Sequence, residues 1–598
     1  VPVLRSLAPI LLAACVDPTA YTSPPALTTE VDDWRDEVVY QVLVDRFANG
    51  DQNNDYNENT SDQILTSYMG GDWQGLIDQI PYLQALGVTA VWISPVVANV
   101  EVDAGISSYH GYWTQDFLEV NAHFGDIADL RRMVDEMHRA DIKVIQDIVT
   151  NHVGQLFYYD INRNGLPDTT FYGSGDQDTL DEFSEDPIEI ITEWDPAYDA
   201  GGIEGWTSLG PSGPAPLGWV YMPEINRVPP NPPEFRNDDW YNRRGRVTDW
   251  NQFDQVVKGD FPGGLKDLDT SRPDVRDALI KVFQRWIEQT NIDGFRIDTV
   301  KHVEHEFWQQ FNPQIRQFAK ERGKDKFLQF GEVFDGNDQL LGSYTFDQEL
   351  DSVFYFSHKF QVFNDVYQRG QATTKIQSLF ADRARNYSNS IPPDGIGLAP
   401  RDALVNFMDN HDVPRFLFDQ PEPKALQAAL VHLLTMDGIP CIYYGTEQGF
   451  SGGNDPANRE PLWTTGYDTE GELFQHIAGL TRVRRAYAAL RRGDFTVRWV
   501  SDRIGSEEDA HLVAFERHID GDRALVVINT AGAGNAHTSF QGNDMPVGFS
   551  PGTTLKAVFP VGDARTFNVD GSGKVRVEVG PYEALVLVPA DAVVPLDD

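Results

Sequence analysis

The sequence predicts an α/β architecture: a (β/α)8 TIM barrel with an inserted loop-rich domain after strand 3 and a C-terminal all-β sandwich. Three observations carry this expectation. Between about residues 36 and 490, short β-rich apolar runs alternate with amphipathic helical stretches, and the crossovers are long enough for parallel pairing. The alternation breaks once, from His152 to about Pro262, where Gly, Pro, Asn, Asp and Trp dominate. Beyond about Gly493 the pattern changes to period two, with turns of Gly, Asp, Asn and Pro between the runs.

Taken in order, residues 1–15 read as a lipoprotein-type signal peptide. Arg5 precedes an apolar stretch from Leu7, and Leu12-Ala13-Ala14-Cys15 offers a small-residue cleavage site ahead of a cysteine that would take lipid. An ordinary signal peptide with a chance cysteine is the alternative. Either implies export, to the bacterial cell envelope through a lipid anchor at Cys15 or as a secreted protein. The stretch is shorter than the roughly 20 apolar residues of a membrane span, and no later run reaches that length. With Cys15 acylated, Cys441 stands alone, so no intrachain disulfide is expected. Residues 16–35, with Pro18, Pro24 and Pro25, read as a flexible tether.

The barrel is expected over 36–151 and 263–492. Its strands are Val38–Phe47, Val88–Ser94, Lys143–Val149, Gly294–Asp298, Phe327–Val333, Leu350–Phe356, Ala403–Met408 and Ile439–Tyr444. Helix-like segments such as Ile127–Ala140, Val275–Gln289 and Lys424–Met436 lie between them. The insert, 152–262, shows no clear helix and leaves strand 3 at its C-terminal end, where barrels build their sites; it reads as a substrate-cleft domain. Residues 493–598 form the β domain, with strands at Thr496–Val500, His511–Arg517, Arg523–Asn529, Thr554–Phe559, Lys574–Val579 and Ala584–Val588.

Composition narrows the partners. Lys and Arg number 48 against 91 Asp and Glu, a net charge of −43 that repels phosphate backbones and anionic lipid, so nucleic acid is excluded as a partner. A neutral substrate loses nothing by such a field. Solubility, a salty habitat and cation sites remain alternative reasons for it. The 13 Trp and 22 Tyr exceed what packing requires, and aromatic faces stack well on sugar rings.

Three acids terminate barrel strands: Asp298 after Gly294-Phe295-Arg296-Ile297, Glu332 in Gln329-Phe330-Gly331-Glu332-Val333, and Asp412 closing Phe407-Met408-Asp409-Asn410-His411-Asp412. Strands 4, 5 and 7 thus deliver three carboxylates to one face. Acids after apolar strands need partners or a task. Converging carboxylates suit acetal hydrolysis: one must stay protonated to protonate the leaving oxygen, and the others stabilise an oxocarbenium-like transition state.

These residues resemble the α-amylase family of glycoside hydrolases and its cyclodextrin glucanotransferase relatives. The motifs stand as Asp147-Ile-Val-Thr-Asn-His152, Gly294-Phe-Arg-Ile-Asp-Thr-Val-Lys-His302, Gly331-Glu332-Val333 and Phe407-Met-Asp-Asn-His-Asp412. Tyr109-His110-Gly111-Tyr112-Trp113 and Gly438-Ile-Pro-Cys-Ile-Tyr-Tyr-Gly445 match as well, in the same order. The resemblance implies Asp298 as nucleophile, Glu332 as general acid/base and Asp412 as transition-state stabiliser in retaining cleavage of α-1,4-glucosidic bonds. It implies that His110, Tyr112, His152, Arg296, Lys301, His302, His411, Asp455 and Arg459 contact substrate, with Arg296 keeping Asp298 ionised and Asp147 bracing Arg296. The expected partner is an α-glucan, bound by a monomer without an organic cofactor.

Calcium is the expected ion. Asn49, Asp51, Asn54, Asp55, Gly70 and Asp72 lie in oxygen-rich turns and resemble the calcium loop of the glucanotransferase-like relatives; a plain Asx-rich turn is the alternative. Asn151, Asp267 and the carbonyl of His302 match a second family site. Asp160, Asn162, Asn164 and Asp168 have EF-hand-like spacing without the acid at position twelve.

The resemblance covers hydrolases and transferases alike. In cyclising relatives a large aromatic sits four residues before the acid matching Asp267; here Gly263 stands there, which favours hydrolysis. Asp455 and Arg459 resemble a donor-side clamp of the glucanotransferases and pull the other way. A non-catalytic glucan-binding protein would not need acids at three strand ends.

Overall fold

The computed structural model describes residues 21–56, 64–103, 105–159, 214–261 and 264–596. Eight parallel strands form the barrel: β1 (Val39–Val42), β2 (Ala90–Ile93), β3 (Lys143–Ile148), β4 (Gly294–Ile297), β5 (Leu328–Gly331), β6 (Ser352–Val353), β7 (Val405–Asn406) and β8 (Ile439–Tyr443). They pair in the order β6-β5-β4-β3-β2-β1-β8-β7, and a parallel Phe354–Val405 bridge joins β6 to β7 to close the ring. Strands β6 and β7 are shorter than the apolar runs around them. Phe354 makes that single bridge and Phe356 is buried beyond it, so packing rather than a continued ladder accounts for the end of the longer apolar signal at β6.

At least one helix follows each strand, among them α1 (Ile80–Leu86), α2 (Ile127–Arg139), α3 (Pro273–Thr290), α4 (His305–Glu321), α5 (Asp338–Ser343), α6 (Thr374–Asn386), α7 (Pro423–Thr435) and α8 (Glu472–Ala486). Local sequence sets their ends. Asp126 and Asp129 form a capping box at the start of α2, and proline opens α3 and α7, where its missing N–H costs nothing. Gly87 ends α1 at φ 83°, where a Cβ would lie 2.2 Å from Thr481 Oγ1 on α8; only glycine fits that close approach.

The described part of the insert is stitched to the barrel's C-terminal end. Phe157–Tyr159 pairs antiparallel with Leu217–Trp219, and Lys266–Asp267 with His152–Val153. The second pairing returns the chain directly beside the end of β3. A short helix, Phe253–Lys258, lies within this region, where sequence periodicity gave no helix. At six residues it spans too few turns for an amphipathic pattern to register.

The C-terminal sheet contains β9 (Asp494–Val500), β10 (Leu512–Ile519), β11 (Asp522–Asn529), β12 (Thr554–Phe559), β13 (Thr566–Asn568) and β14 (Ala584–Pro589). Its order is β9-β10-β11-β14-β12-β13, all antiparallel. Alternation divides β10 between two cores. Val513 and Phe515 join the barrel's core, while Leu512 and Ala514 pack with Met545, Val575 and Val577 on the other side. The expected strand Lys574–Val579 is two pieces, Lys574–Val575 and Glu578–Val579, each pairing with a different neighbour. Among the described residues, no helix is long and apolar enough to cross a membrane.

Candidate active site

Strand register places the first polar pair. The β3–β4 ladder sets Asp147 opposite Arg296, so period-two geometry puts both on one face of the sheet together with Asp298. Arg296 Nη1 lies 2.9 Å from both oxygens of Asp147 and 2.9 Å from Asp298 Oδ1. Its Nη2 lies 3.1 Å from Glu332 Oε1. Asp147 also accepts from Trp92 Nε1 at 3.1 Å and from the Tyr112 hydroxyl at 2.8 Å. A fully buried guanidinium therefore ties β3, β4 and β5 together below the carboxylates. Burial works against its charge, but Asp147, Glu332, Tyr112 and Asp298 outweigh that cost and hold Arg296 protonated.

Burial is the largest influence on Glu332 and pushes its carboxyl up to about 8. Arg296 opposes the shift, while Asp298 and Asp412 add to it. The Thr299 N–H donates to Glu332 Oε2 at 3.2 Å. Asp412 is the more open acid, with 32% of its side chain exposed in the cleft. Desolvation within the cleft raises it to about 6 against the pull of Arg459 and Arg296. His411 Nε2 lies 3.1 Å from Asp412 Oδ2, and Arg459 Nη2 lies 3.6 Å from Oδ1.

A cleft of ≈ 650 Å³ opens above these groups. Asp298, Glu332 and Asp412 line it together with His110, Tyr112, His152, Lys301, His302, His411, Asp455 and Arg459. Arg296 lies beneath it, out of reach of the cleft surface, and acts on the carboxylates rather than on a ligand. The Tyr112 ring stacks on His411 at 5.2 Å and 6°, and His152 Nε2 meets the Tyr112 carbonyl at 3.2 Å. Arg459 holds Asp455 at 2.9 Å and the Tyr109 hydroxyl at 3.0 Å. Lys301 donates to the Phe334 carbonyl at 2.5 Å, and His302 Nδ1 lies 2.9 Å from the Val256 carbonyl.

Sequence reasoning missed the aromatic wall on the insert side. Trp250, 48% exposed, meets the Phe261 ring at 6.0 Å and His302 at 5.7 Å, both edge to face. A lone tryptophan in a Gly- and Pro-rich stretch carries no sequence signal for this position. Phe334, 39% exposed on the same cleft, had one: it follows Glu332 by two residues.

Among the described residues, no three His, Cys, Asp or Glu gather round one cation position. The oxygen-rich turns fit calcium unequally. Asp72 already accepts from the N–H groups of Gly50, Asp51 and Gly75, and caps a helix. Asn49 donates to Asp55 at 2.9 Å, Asn53 N donates to Asp51 at 3.0 Å, and the Gly70 N–H donates to Asp45 at 3.2 Å. Among the described residues of these turns, Asn54 Oδ1 is the buried side-chain oxygen without a hydrogen-bond partner. The second set fits better. Asp267 is buried, takes one hydrogen bond from Asn242 at 2.7 Å, and leaves Oδ1 without a partner. Burial pushes it well above the usual carboxylate range, and Asp260, Glu304 and Asp269 push the same way. Asn151 sits beside it through the Leu268 N–H to Asn151 carbonyl bond at 2.9 Å. Asp160, Asn162, Asn164 and Asp168, like Gly263 and Cys15, lie outside the described residues. Cys441, on β8, is a buried free thiol.

A closed parallel barrel with an arginine-braced carboxylate cluster at its C-terminal face defines the class of barrel glycosidases and transglycosidases. A family model described as the catalytic domain of alpha amylase matches residues 41–470, and the chain belongs to the α-amylase family. It is 33% identical over 542 residues to a beta/alpha-amylase of Paenibacillus polymyxa, covering 87% of this chain and 35% of that protein's length. An Anoxybacillus α-amylase structure superposes with a TM-score of 0.69 at 26% identity, covering 94% of this chain and 99% of the other. A cyclomaltodextrin glucanotransferase with a three-domain ABC distribution gives a TM-score of 0.69 at 27% identity, covering 92% and 99%.

Proposed function

We propose that the protein is a retaining, endo-acting hydrolase of α-1,4-glucosidic bonds in starch-like glucans. The observation that carries this reading is the shared guanidinium: Arg296 contacts Asp298 at 2.9 Å and Glu332 at 3.1 Å while burial raises Glu332 to about 8. Two carboxyls leaning on one arginine suit the spacing of about 5–5.5 Å that retention requires. Glu332, neutral at working pH, donates its proton to the leaving glycosidic oxygen as the C–O bond breaks. Asp298 attacks the anomeric carbon to form the glycosyl ester. Glu332, now anionic, takes a proton from water, and that water's oxygen attacks the same carbon and releases Asp298. Asp412 faces the positive charge that develops in the oxocarbenium-like transition state of each step.

Tyr112 supplies an apolar floor, with His110, His152 and His411 offering hydrogen bonds to sugar hydroxyls. Lys301, His302, Trp250 and Phe334 form the opposite stretch of the cleft, where the acceptor or leaving portion of the chain would lie. If calcium is held, Asn151, Asp267 and the His302 carbonyl would hold it beside the insert, with a second position near Asn54. Its contribution there is charge neutralisation and anchoring of the insert to the barrel.

Transfer to a second sugar instead of water is the alternative, and the Asp455–Arg459 pair at 2.9 Å beside Asp412 favours it. Chromatography of products from soluble starch decides between them, with Glu332→Gln as control. Linear maltooligosaccharides with rising reducing ends, absent from the control, are expected. Cyclic products, or disproportionation without new reducing ends, would replace hydrolysis by transfer, and unchanged starch would reject the substrate assignment.

A further inference from the structure

We propose that Gln41 is a positioning residue that fixes the tautomer of His411, with the proton on Nε2, the edge of the ring that lies beside Asp412. The proposal rests on the glucanase reading only for its kinetic consequence. Gln41 lies on β1, inside the barrel and 2% exposed, and its Nε2 is 2.7 Å from His411 Nδ1. An amide NH2 donates and cannot accept, so Nδ1 is the accepting nitrogen and the proton sits on Nε2. The opposite side of the ring demands the same answer. His411 Nε2 lies 3.1 Å from Asp412 Oδ2, an ion-pair distance rather than an aligned hydrogen bond, and a bare nitrogen lone pair that close to a carboxylate is electrostatically unfavourable. Turning the Gln41 amide over would move the proton to Nδ1 and create that repulsion. Two contacts on opposite edges of one ring therefore select one tautomer.

The surroundings keep the ring neutral, which is the state in which tautomer choice matters. His411 is buried, and every nearby cation disfavours a second proton: Arg296 from β4 and Arg459 after β8, with His110 adding to them. Tyr112 covers one face and Trp92, on β2, meets the ring edge to face at 6.0 Å. Asp298 and Asp455 face Asp412 from β4 and from the segment after β8, and both favour its protonation. A proton on Nε2 thus sets the positive end of the ring dipole beside Asp412, adding to the charges of Arg459 and Arg296 that favour its carboxylate form. Removing Gln41 frees the ring to exchange tautomers or turn, and Asp412 loses that favourable neighbour part of the time.

The test combines tautomer spectroscopy with kinetics. Nitrogen-15 histidine spectra of the intact wild type, assigned by difference with His411→Gln, are expected to show protonated Nε2 and unprotonated Nδ1 at neutral pH. Gln41→Glu, whose carboxylate accepts from Nδ1–H, should reverse that pattern. In Gln41→Leu, kcat on maltooligosaccharides should fall roughly 10–100-fold with KM within about 2-fold, as expected for lost orientation rather than lost binding. The acid limb of its pH profile should move upward, because the charged form of Asp412 loses the field of a proton held on the nearby Nε2. Wild-type spectra with the proton on Nδ1 overturn the proposal, whatever the variants do. So does a Gln41→Leu protein of unchanged melting temperature, kcat and acid limb. If wild type leaves starch and maltooligosaccharides intact, the glucanase reading falls, and the spectra alone still decide the tautomer.

Discussion

At the scale of single residues, the site works by setting acids against one another. Glu332 is buried, 5% exposed, while Asp412 faces the cleft, yet both are raised above the usual carboxylate range. The active form needs Glu332 protonated and Asp412 ionised, so kcat/KM should be bell-shaped. It should fall as pH drops through about 6, where Asp412 gains its proton, and fall again as pH rises through about 8, where Glu332 loses its own. A profile that stays flat from pH 7 to 10 would remove Glu332 from the proton-donor role. Asp147 belongs to the same cluster as a brace. Its two contacts to Arg296 and those from Trp92 and Tyr112 use both of its oxygens.

At the scale of elements, the shared wall between barrel and C-terminal sheet carries a pH sensitivity of its own. His432 on α7 and His358 in the short helix Phe356–His358 are both fully buried, with their Nε2 atoms 3.2 Å apart. His432 also meets the Phe515 ring on β10 at 5.6 Å. Burial pulls His432 down to about 3 and His358 well below its ordinary value, the latter with help from His432 and Arg383. The unfolded chain takes up protons at these histidines near pH 6.5 and the folded one does not. Their contribution to stability is therefore complete above 6.5 and is lost as pH falls towards 3. The slope approaches roughly 1.4 kcal/mol per pH unit for each histidine below 6.5. Melting temperatures measured from pH 7 to 4.5 should fall less steeply in His432→Gln, which keeps a polar group beside the Tyr367 hydroxyl. Parallel slopes in variant and wild type would assign the acid sensitivity elsewhere.

At the scale of the whole molecule, a net charge of −43 favours cation binding, and Asp267 is the buried acid at which the proposed calcium would act. A buried carboxylate with an unpartnered oxygen and three acidic neighbours is destabilising unless a cation or a proton neutralises it. Asp267→Asn should melt at the same or a higher temperature than wild type in chelator. Wild type should gain more than Asp267→Asn on adding calcium, the site at Asp267 adding roughly 2.7 kcal/mol at a hundredfold excess over its dissociation constant. Equal calcium shifts in both proteins would mean that Asp267 does not hold the ion.

Much of this architecture was legible in the chain itself. Apolar runs of strand length separated by helix-length amphipathic stretches mark the eight barrel strands, because burial on both faces leaves a continuous apolar signature. The acids at the ends of β4 and β5 and after β7 stood out because charge after an apolar strand demands a reason. The lengths of β6 and β7 were not legible, since buried Phe354 and Phe356 look the same whether or not they join a ladder. Nor were contacts between residues far apart in sequence. The 2.7 Å meeting of Gln41 with His411 spans 370 positions, and Trp250 reaches the cleft only after the insert returns beside β3. Periodicity and composition record which groups are buried and on which face. Barrel closure decides which of them touch, because register and crossover bring distant strands to one end of the ring, and only there do separate carboxylates become a single electrostatic system.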